Sequence, residues 1–130
     1  MTSNDLEPLE AAVLDKLLAG PHPILNALRR QLTGLIVKRR ELTGAGFFTE
    51  FSVAESSAPA STSSSKLRFG DVQATISGLQ HGAGFLLYVD GGLLRMIEGY
   101  SFEEPWPEEI KEFTLSYVEP DRKSVLASLG

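Results

Sequence analysis

The stretch "GFLLYVDGGLLRMIEGY", residues 84 to 100, determines how the rest of the chain is interpreted. From Phe85 to Val89, Phe, Leu and Val at odd positions alternate with Leu and Tyr at even positions, which is the two-residue period of a strand. An Asp-Gly pair opens the turn at residues 90 to 92 and tolerates the positive φ of a tight hairpin. The sequence therefore predicts that residues 82 to 90 and 93 to 100 form an antiparallel hairpin.

Further strands are expected on the N-terminal and C-terminal sides of this hairpin. Residues 35 to 41 and 47 to 53 flank a Thr-Gly-Ala-Gly turn and form a second predicted hairpin, while residues 67 to 78 and 113 to 118 have the pattern of single strands. Residues 54 to 66, "AESSAPASTSSSK", offer almost nothing to bury. Because such a segment cannot repay the entropy of ordering, we expect a mobile loop within one domain.

Two helices are predicted before the sheet. Residues 5 to 19 place six aliphatic side chains at mixed spacings of three and four, which is the stripe of an amphipathic helix, and Gly20-Pro21 ends it. Residues 23 to 32 have the pattern of a second helix, and residues 121 to 130 either form a short helix or fray. We therefore predict one α+β domain over residues 1 to 130, with two N-terminal helices packed on a mainly antiparallel sheet of five to six strands.

Composition restricts the compartment and the partners. The beginning, "MTSNDLEPLE", lacks the basic and apolar regions of a secretion signal, and no apolar stretch approaches the roughly 20 residues that span a bilayer. Twelve basic against seventeen acidic residues give a net charge of -5, which repels phosphate backbones. We expect a cytoplasmic protein with neither membrane nor nucleic acid as a partner.

No group of residues has the spacing of a catalytic, metal or cofactor site. His22 and His81 have no second histidine or cysteine at ligand spacing. The serines cluster in residues 54 to 66 without a nucleophile elbow. Gly44-Ala45-Gly46 and Gly82-Ala83-Gly84 lack the third glycine and following helix of a dinucleotide fingerprint. The sequence therefore predicts no catalytic residue, no cofactor and no metal.

Basic and acidic residues are concentrated in different parts of the chain. The basic cluster comprises Arg29, Arg30, Lys38, Arg39 and Arg40. The acidic cluster comprises Glu98, Glu103, Glu104, Glu108, Glu109 and Glu112. Three arrangements are consistent with this separation. The two clusters pair within the monomer, they meet between subunits of a homo-oligomer, or the acidic cluster binds a basic protein partner. On a regular strand Lys38 and Arg40 share one face, while Arg39 shares the other with Val37 and Glu41.

Aromatic residues accompany the acidic cluster in "MIEGYSFEEPWPEEI", residues 96 to 110. Two prolines restrict the backbone around Trp106, so its indole is either a preorganised binding residue or a lid over the sheet. Glu103, Glu104, Glu108 and Glu109 offer the carboxylates of a hard-cation site or of an acid and base pair, but spacing alone does not make them converge, so a solvated acidic face is favoured. The candidate interaction surface consists of Glu98, Tyr100, Glu103, Glu104, Trp106, Glu108 and Glu109.

The segments "GAGFF", at residues 44 to 48, and "EGYSFEEPWP", at residues 98 to 107, are similar to a group of small uncharacterised bacterial proteins. The resemblance spans residues 41 to 106. It implies a bacterial, cytoplasmic, one-domain protein and carries no activity, substrate or site residue.

Two functions are consistent with these patterns. The favoured one is a non-enzymatic protein-binding module that uses the acidic and aromatic surface, either for self-association or against a basic partner. The alternative is a small-molecule-binding protein or an enzyme with a pocket near Arg39, His81, Tyr100 and Trp106. Whether this chain is an enzyme is left open, although the lack of a catalytic constellation favours a binding protein.

Overall fold

A computed structural model describes residues 6 to 129 of the chain. The helices are α1 (Pro8–Leu17), α2 (Pro23–Arg30) and α3 (Lys123–Ser128). The strands are β1 (Ile36–Leu42), β2 (Gly46–Ser52), β3 (Lys66–Phe69), β4 (Val72–Ile76), β5 (Ala83–Asp90), β6 (Leu93–Ser101) and β7 (Phe113–Tyr117). The predicted α+β class with a mainly antiparallel sheet is confirmed. The predicted helix start at Asp5 and the chain ends lie outside the described residues.

The predicted hairpin over residues 82 to 100 forms the centre of the sheet. The strand order is β1-β2-β6-β5-β4-β7, and β3 also pairs with β5. All the pairings are antiparallel. β5 and β6 have a neighbour on both sides, and their buried side chains, such as Phe85, Leu87 and Ile97, belong to the hydrophobic core.

Within residues 6 to 129 the sheet has seven strands, so the expected count of five to six was wrong. The predicted single strand over residues 67 to 78 divides at Gly70 and Asp71 into β3 and β4. A Cβ on Gly70 would lie 1.9 Å from the carbonyl oxygen of Phe85, so only glycine fits there without movement of the neighbouring strand. Beyond this bend β4 pairs with β7 as well as with the start of β5.

The N-terminal helices and one face of the sheet share a single hydrophobic core. Val13 and Leu17 of α1 and Leu25 of α2 are buried together with Phe85 and Ile97 of the central hairpin. α1 is shorter than predicted because Pro8 occupies its first turn and Glu7 caps it in a capping box with Glu10. Within residues 6 to 129 no helix combines the length and apolar character needed to cross a bilayer.

The other face of the sheet lies outside the core, and we call it the open face. Its side chains are the alternate residues of the three central strands, and all of them are half-buried or exposed. They are Phe48, Glu50, Leu86, Tyr88, Met96, Glu98 and Tyr100.

The serine-rich loop of residues 54 to 66 contacts the central hairpin. The Ala60 N–H donates to the Gly92 carbonyl at 2.8 Å, and Ala60 is buried. Gln31, just after α2, donates to the carbonyls of Ala58 and Gly92 and accepts from the Leu94 N–H at 2.9 Å. The middle of the loop is therefore anchored, and its mobility stays a prediction.

Candidate interaction site around Trp106

The structure divides the predicted acidic and aromatic surface between two sides of the sheet. Glu98 and Tyr100 belong to β6 and point to the open face, opposite the core. Trp106, Glu108 and Glu109 follow β6 and line a cleft beside the N-terminus of α1. The seven candidate residues therefore do not form one continuous surface.

Trp106 is held at the edge of the hydrophobic core. Its indole meets the Phe47 ring edge-on, with ring centroids 5.4 Å apart, and packs against the core cluster. The backbone N–H of Trp106 donates to the Gly44 carbonyl at 2.7 Å. This hydrogen bond connects the segment after β6 to the β1–β2 turn. Trp106 is therefore half-buried against the core, and its accessible surface lines the cleft.

The cleft around Trp106, which we call the Trp106 cleft, has a volume of about 370 Å³. Its apolar walls include Leu42, Phe47, Ile110 and Phe113. Leu42 is 72% exposed, and together with the half-buried Trp106, Ile110 and Phe113 it forms a partly exposed apolar patch. Exposed apolar surface of this kind is typical of contact sites.

The carboxylates around the Trp106 cleft differ in their roles. Glu10 is buried and accepts two hydrogen bonds from Arg40, at 2.6 and 2.8 Å, and a third from the Thr49 hydroxyl. This network joins α1 to the β1–β2 hairpin and satisfies the buried charge. The acidity of the cleft rim therefore comes from the exposed residues Glu7, Glu108 and Glu109.

Glu104 holds a turn together rather than contributing to the cleft. Its two carboxylate oxygens each accept a backbone hydrogen bond at 2.8 Å, one from Gln80 and the other from His81. These N–H donors lower the pKa of Glu104. Glu103 beside it is exposed and has a positive φ of 63°. Sequence spacing offered no signal for this role, because the turn lies more than twenty residues earlier.

Glu98 and Tyr100 each interact with a neighbour on the open face. The Tyr88 hydroxyl donates to Glu98 at 3.0 Å. Burial is the larger cause that raises the pKa of Tyr88, and the hydrogen bond to Glu98 raises it further. Arg68 lowers the pKa of Tyr88. Tyr100 contacts the Phe102 ring edge-on at 5.6 Å between centroids. These residues form a partly ordered acidic and aromatic patch that is separate from the Trp106 cleft.

Arg39, His81 and Tyr100, the residues of the alternative pocket, lie in separate parts of the structure. Arg39 is exposed and pairs with Glu41 and Glu50, the latter at 2.6 Å. Arg39 pairs with Glu50 in β2, and Glu50 pairs with Met96 in β6. Met96 lies four residues, or ~13 Å, along β6 from Tyr100. His81 lies in an exposed turn. Arg39, His81 and Tyr100 line neither the Trp106 cleft nor a larger cavity on the open face that is lined by Tyr88 and Met96.

The prediction that Val37 and Arg39 share one face of the strand was wrong. The register of β1 shifts between Val37 and Arg39, where Lys38 is an extra residue. A bulge reverses the alternation that follows it, so Val37 and Arg40 lie on the core side and Arg39 lies on the open side. The predicted sharing of a face by Arg39 and Glu41 agrees with their direct ion pair.

Three residues of the basic cluster, Arg29, Arg39 and Arg40, have partners outside the acidic cluster. Arg39 pairs with Glu41 and Glu50, and Arg40 pairs with Glu10. Arg29 donates to the Leu18 and Gly20 carbonyls at the end of α1. These contacts support the N-terminal half of the fold, and on the acidic rim of the Trp106 cleft Glu109 pairs with the exposed Lys111 at 3.9 Å.

Within residues 6 to 129 no three histidine, aspartate or glutamate side chains converge as a metal site requires.

No protein family model, no curated protein and no solved structure matches this chain. The chemistry of the Trp106 cleft itself must therefore indicate the function.

Proposed function

We propose that this chain is a non-enzymatic protein-binding module whose Trp106 cleft receives a basic segment of a protein partner. The observation that carries the proposal is the combination of Leu42, 72% exposed, and the half-buried Trp106 beneath a rim of three glutamates. A segment with one aliphatic side chain flanked by Lys or Arg has the complementary chemistry.

The apolar part of the cleft supplies the affinity in this proposal. Removing an exposed leucine side chain from water contributes about 1.5 to 3 kcal/mol. Trp106 is fixed by Phe47 and by its backbone bond to Gly44, so little side-chain entropy is lost when a partner covers it. Tryptophan is also enriched among the residues that dominate interface energies.

The rim carboxylates supply selectivity for a basic partner. Glu7, Glu108 and Glu109 are exposed, and exposed ion pairs contribute at most about 1 kcal/mol each. Their main effect is to accelerate encounter with a positive segment and to repel an acidic one. Binding should therefore weaken as the salt concentration rises, mostly through the association rate.

The test is photo-crosslinking followed by reconstitution. A photoreactive amino acid at Leu42 captures neighbouring proteins in the native cell, and the captured protein is then purified. Calorimetry compares its affinity for wild type, Leu42→Asp and the double variant Glu108→Lys/Glu109→Lys. We expect each variant to bind at least tenfold more weakly, because the first removes apolar contact and the second reverses the rim charge.

The matched control is Asp15→Lys/Glu55→Lys, which makes the same charge change at exposed positions outside the cleft. It should bind within twofold of wild type. Equal affinity of the purified partner for wild type and both cleft variants would overturn the proposal. So would an equal loss of affinity in the control.

A further inference from the structure

A second cavity lies on the open face, and we call it the basic groove. It has a volume of about 610 Å³ and lies across the strands from β1 to β3. The Tyr88 ring and the Met96 side chain form its floor between the ionisable groups. Those groups are Lys38, Lys66, Arg68 and Arg95, with Glu50 and Asp90.

Two of the four cations occupy bulge positions. Lys38 is the extra residue at the register shift in β1, and Arg95 is the extra residue at the shift between β5 and β6. A bulge redirects a side chain that a regular ladder would place elsewhere. Both bulges therefore bring a cation to the same concave surface, and both residues are exposed.

The charge of the basic groove is opposite to that of the whole molecule. Four basic and two acidic side chains line it, a balance of +2 in a chain of net charge -5. Glu50 is already paired with Arg39 at 2.6 Å, and Asp90 lies opposite Lys66 in the ladder. The groove is thus a local positive region within an acidic protein, as in a site that selects anions.

The width of the groove fits an extended ligand with several anionic groups better than a single small anion. Four strand spacings separate β1 from β3 through β2, β6 and β5, which is ~19 Å. An extended peptide covers that distance with about six residues. Its alternate side chains would reach the rim cations and the floor formed by Tyr88 and Met96.

We propose that the basic groove binds an acidic, extended segment of a protein partner, with its carboxylates on Lys38, Lys66, Arg68 and Arg95. Its apolar side chains lie on Tyr88 and Met96. This site does not depend on the Trp106 cleft, and it takes a ligand of the opposite charge. A polynucleotide fits less well, because the net charge of -5 repels the phosphates that extend beyond the groove.

Fluorescence anisotropy with labelled peptides on the full chain tests the proposal. The probes are an alternating (Glu-Leu)3 peptide, hexaglutamate, a (Lys-Leu)3 peptide and the single-stranded oligonucleotide dT6. We expect (Glu-Leu)3 to bind more tightly than hexaglutamate and dT6, whereas binding of (Lys-Leu)3, which has the chemistry of the Trp106 cleft, should be lost in Leu42→Asp and kept in the groove variants. In the variants Lys38→Glu/Arg95→Glu and Lys38→Gln/Arg95→Gln its affinity should fall by at least tenfold and about threefold, respectively.

The control variant Lys111→Glu/Lys123→Glu makes the same charge change at exposed positions outside the groove and should bind within twofold of wild type. Circular dichroism establishes that each variant is folded. Three results would overturn the proposal: no binding of either acidic peptide at millimolar concentration, tighter binding of dT6 than of (Glu-Leu)3, or an equal loss in the control. The Trp106 cleft variants should leave (Glu-Leu)3 binding unchanged.

Discussion

At the scale of single residues, Arg122 joins three distant parts of the chain. It is buried, and its guanidinium donates to both Asp71 oxygens at 2.6 and 2.9 Å. It also donates to the Leu17 and Ala19 carbonyls at the end of α1. The bond to Asp71 raises the pKa of Arg122, so the arginine stays charged throughout the ordinary pH range.

Removing Asp71 or Arg122 should destabilise the fold strongly. We expect Asp71→Asn and Arg122→Met each to lower the free energy of unfolding by about 3 to 5 kcal/mol, because each leaves a buried partner unpaired. Urea denaturation measures the change. Arg39→Met, which removes two exposed ion pairs, should cost about 1 kcal/mol or less. Similar losses in all three variants would contradict this account.

Glu104 should make the stability depend on acid pH. Its pKa is lowered by the Gln80 and His81 N–H groups, so its contribution is fully present above the unfolded pKa of about 4.5 and is lost as the pH falls through the folded pKa. The difference in unfolding free energy between wild type and Glu104→Gln should therefore be constant above about pH 5 and shrink below it. Glu103→Gln is the control, and a difference that persists to pH 2 would contradict the prediction.

At the scale of elements, the bend at Gly70 allows one stretch to serve two neighbours. Because β3 and β4 are offset there, β5 is covered along its length and β7 gains a partner. The edge strand β1 is protected differently, since its bulge and its charged residues discourage pairing with another chain.

Gly70→Ala should disturb the centre of the sheet. The added methyl would overlap the Phe85 carbonyl, with 1.9 Å between the atoms, so we expect a loss of about 3 kcal/mol of unfolding free energy. Gly44→Ala is the comparison, because its Cβ meets open space and only its positive φ opposes it, at a cost of about 1 kcal/mol. Thermal denaturation that ranks Gly44→Ala as the more damaging change would refute this reasoning.

The anchoring of the serine-rich loop can be measured by hydrogen exchange. The Ala60 N–H is bonded to Gly92 and buried, so it should exchange at least tenfold more slowly than the N–H of exposed Ser56. Gln31→Ala should accelerate exchange at Ala60 and Leu94, since Gln31 connects α2 to both segments. Uniform fast exchange over residues 54 to 66 would support a mobile loop instead.

At the scale of the whole molecule, two concave sites of opposite charge lie on different parts of the surface. The Trp106 cleft has four acidic residues and one basic residue in its lining, whereas the basic groove has four basic and two acidic. If both proposals hold, this separation allows one chain of net charge -5 to present complementary surfaces to two kinds of segment.

The opposite charges should not by themselves produce a homodimer. Both sites are recessed, so neither can enter the other, and Arg39 and Arg40 of the basic cluster pair within the chain. We expect the same monomeric sedimentation coefficient in 50 and 500 mM salt at micromolar concentration. A dimer that dissociates as salt rises would instead show that the charge clusters meet between subunits.

The sequence by itself determined the α+β class, the central hairpin and the approximate positions of α1, α2 and most strands. These features follow from periodicity and turn chemistry, which act between residues close in the chain. The tertiary structure decided the division at Gly70, the bulge at Lys38, and the roles of Glu10, Glu104 and Arg122. It also separated Glu98 and Tyr100 from Trp106 and created the basic groove. Each of these outcomes depends on strand register or on contacts between distant residues, and a local pattern carries no information about either.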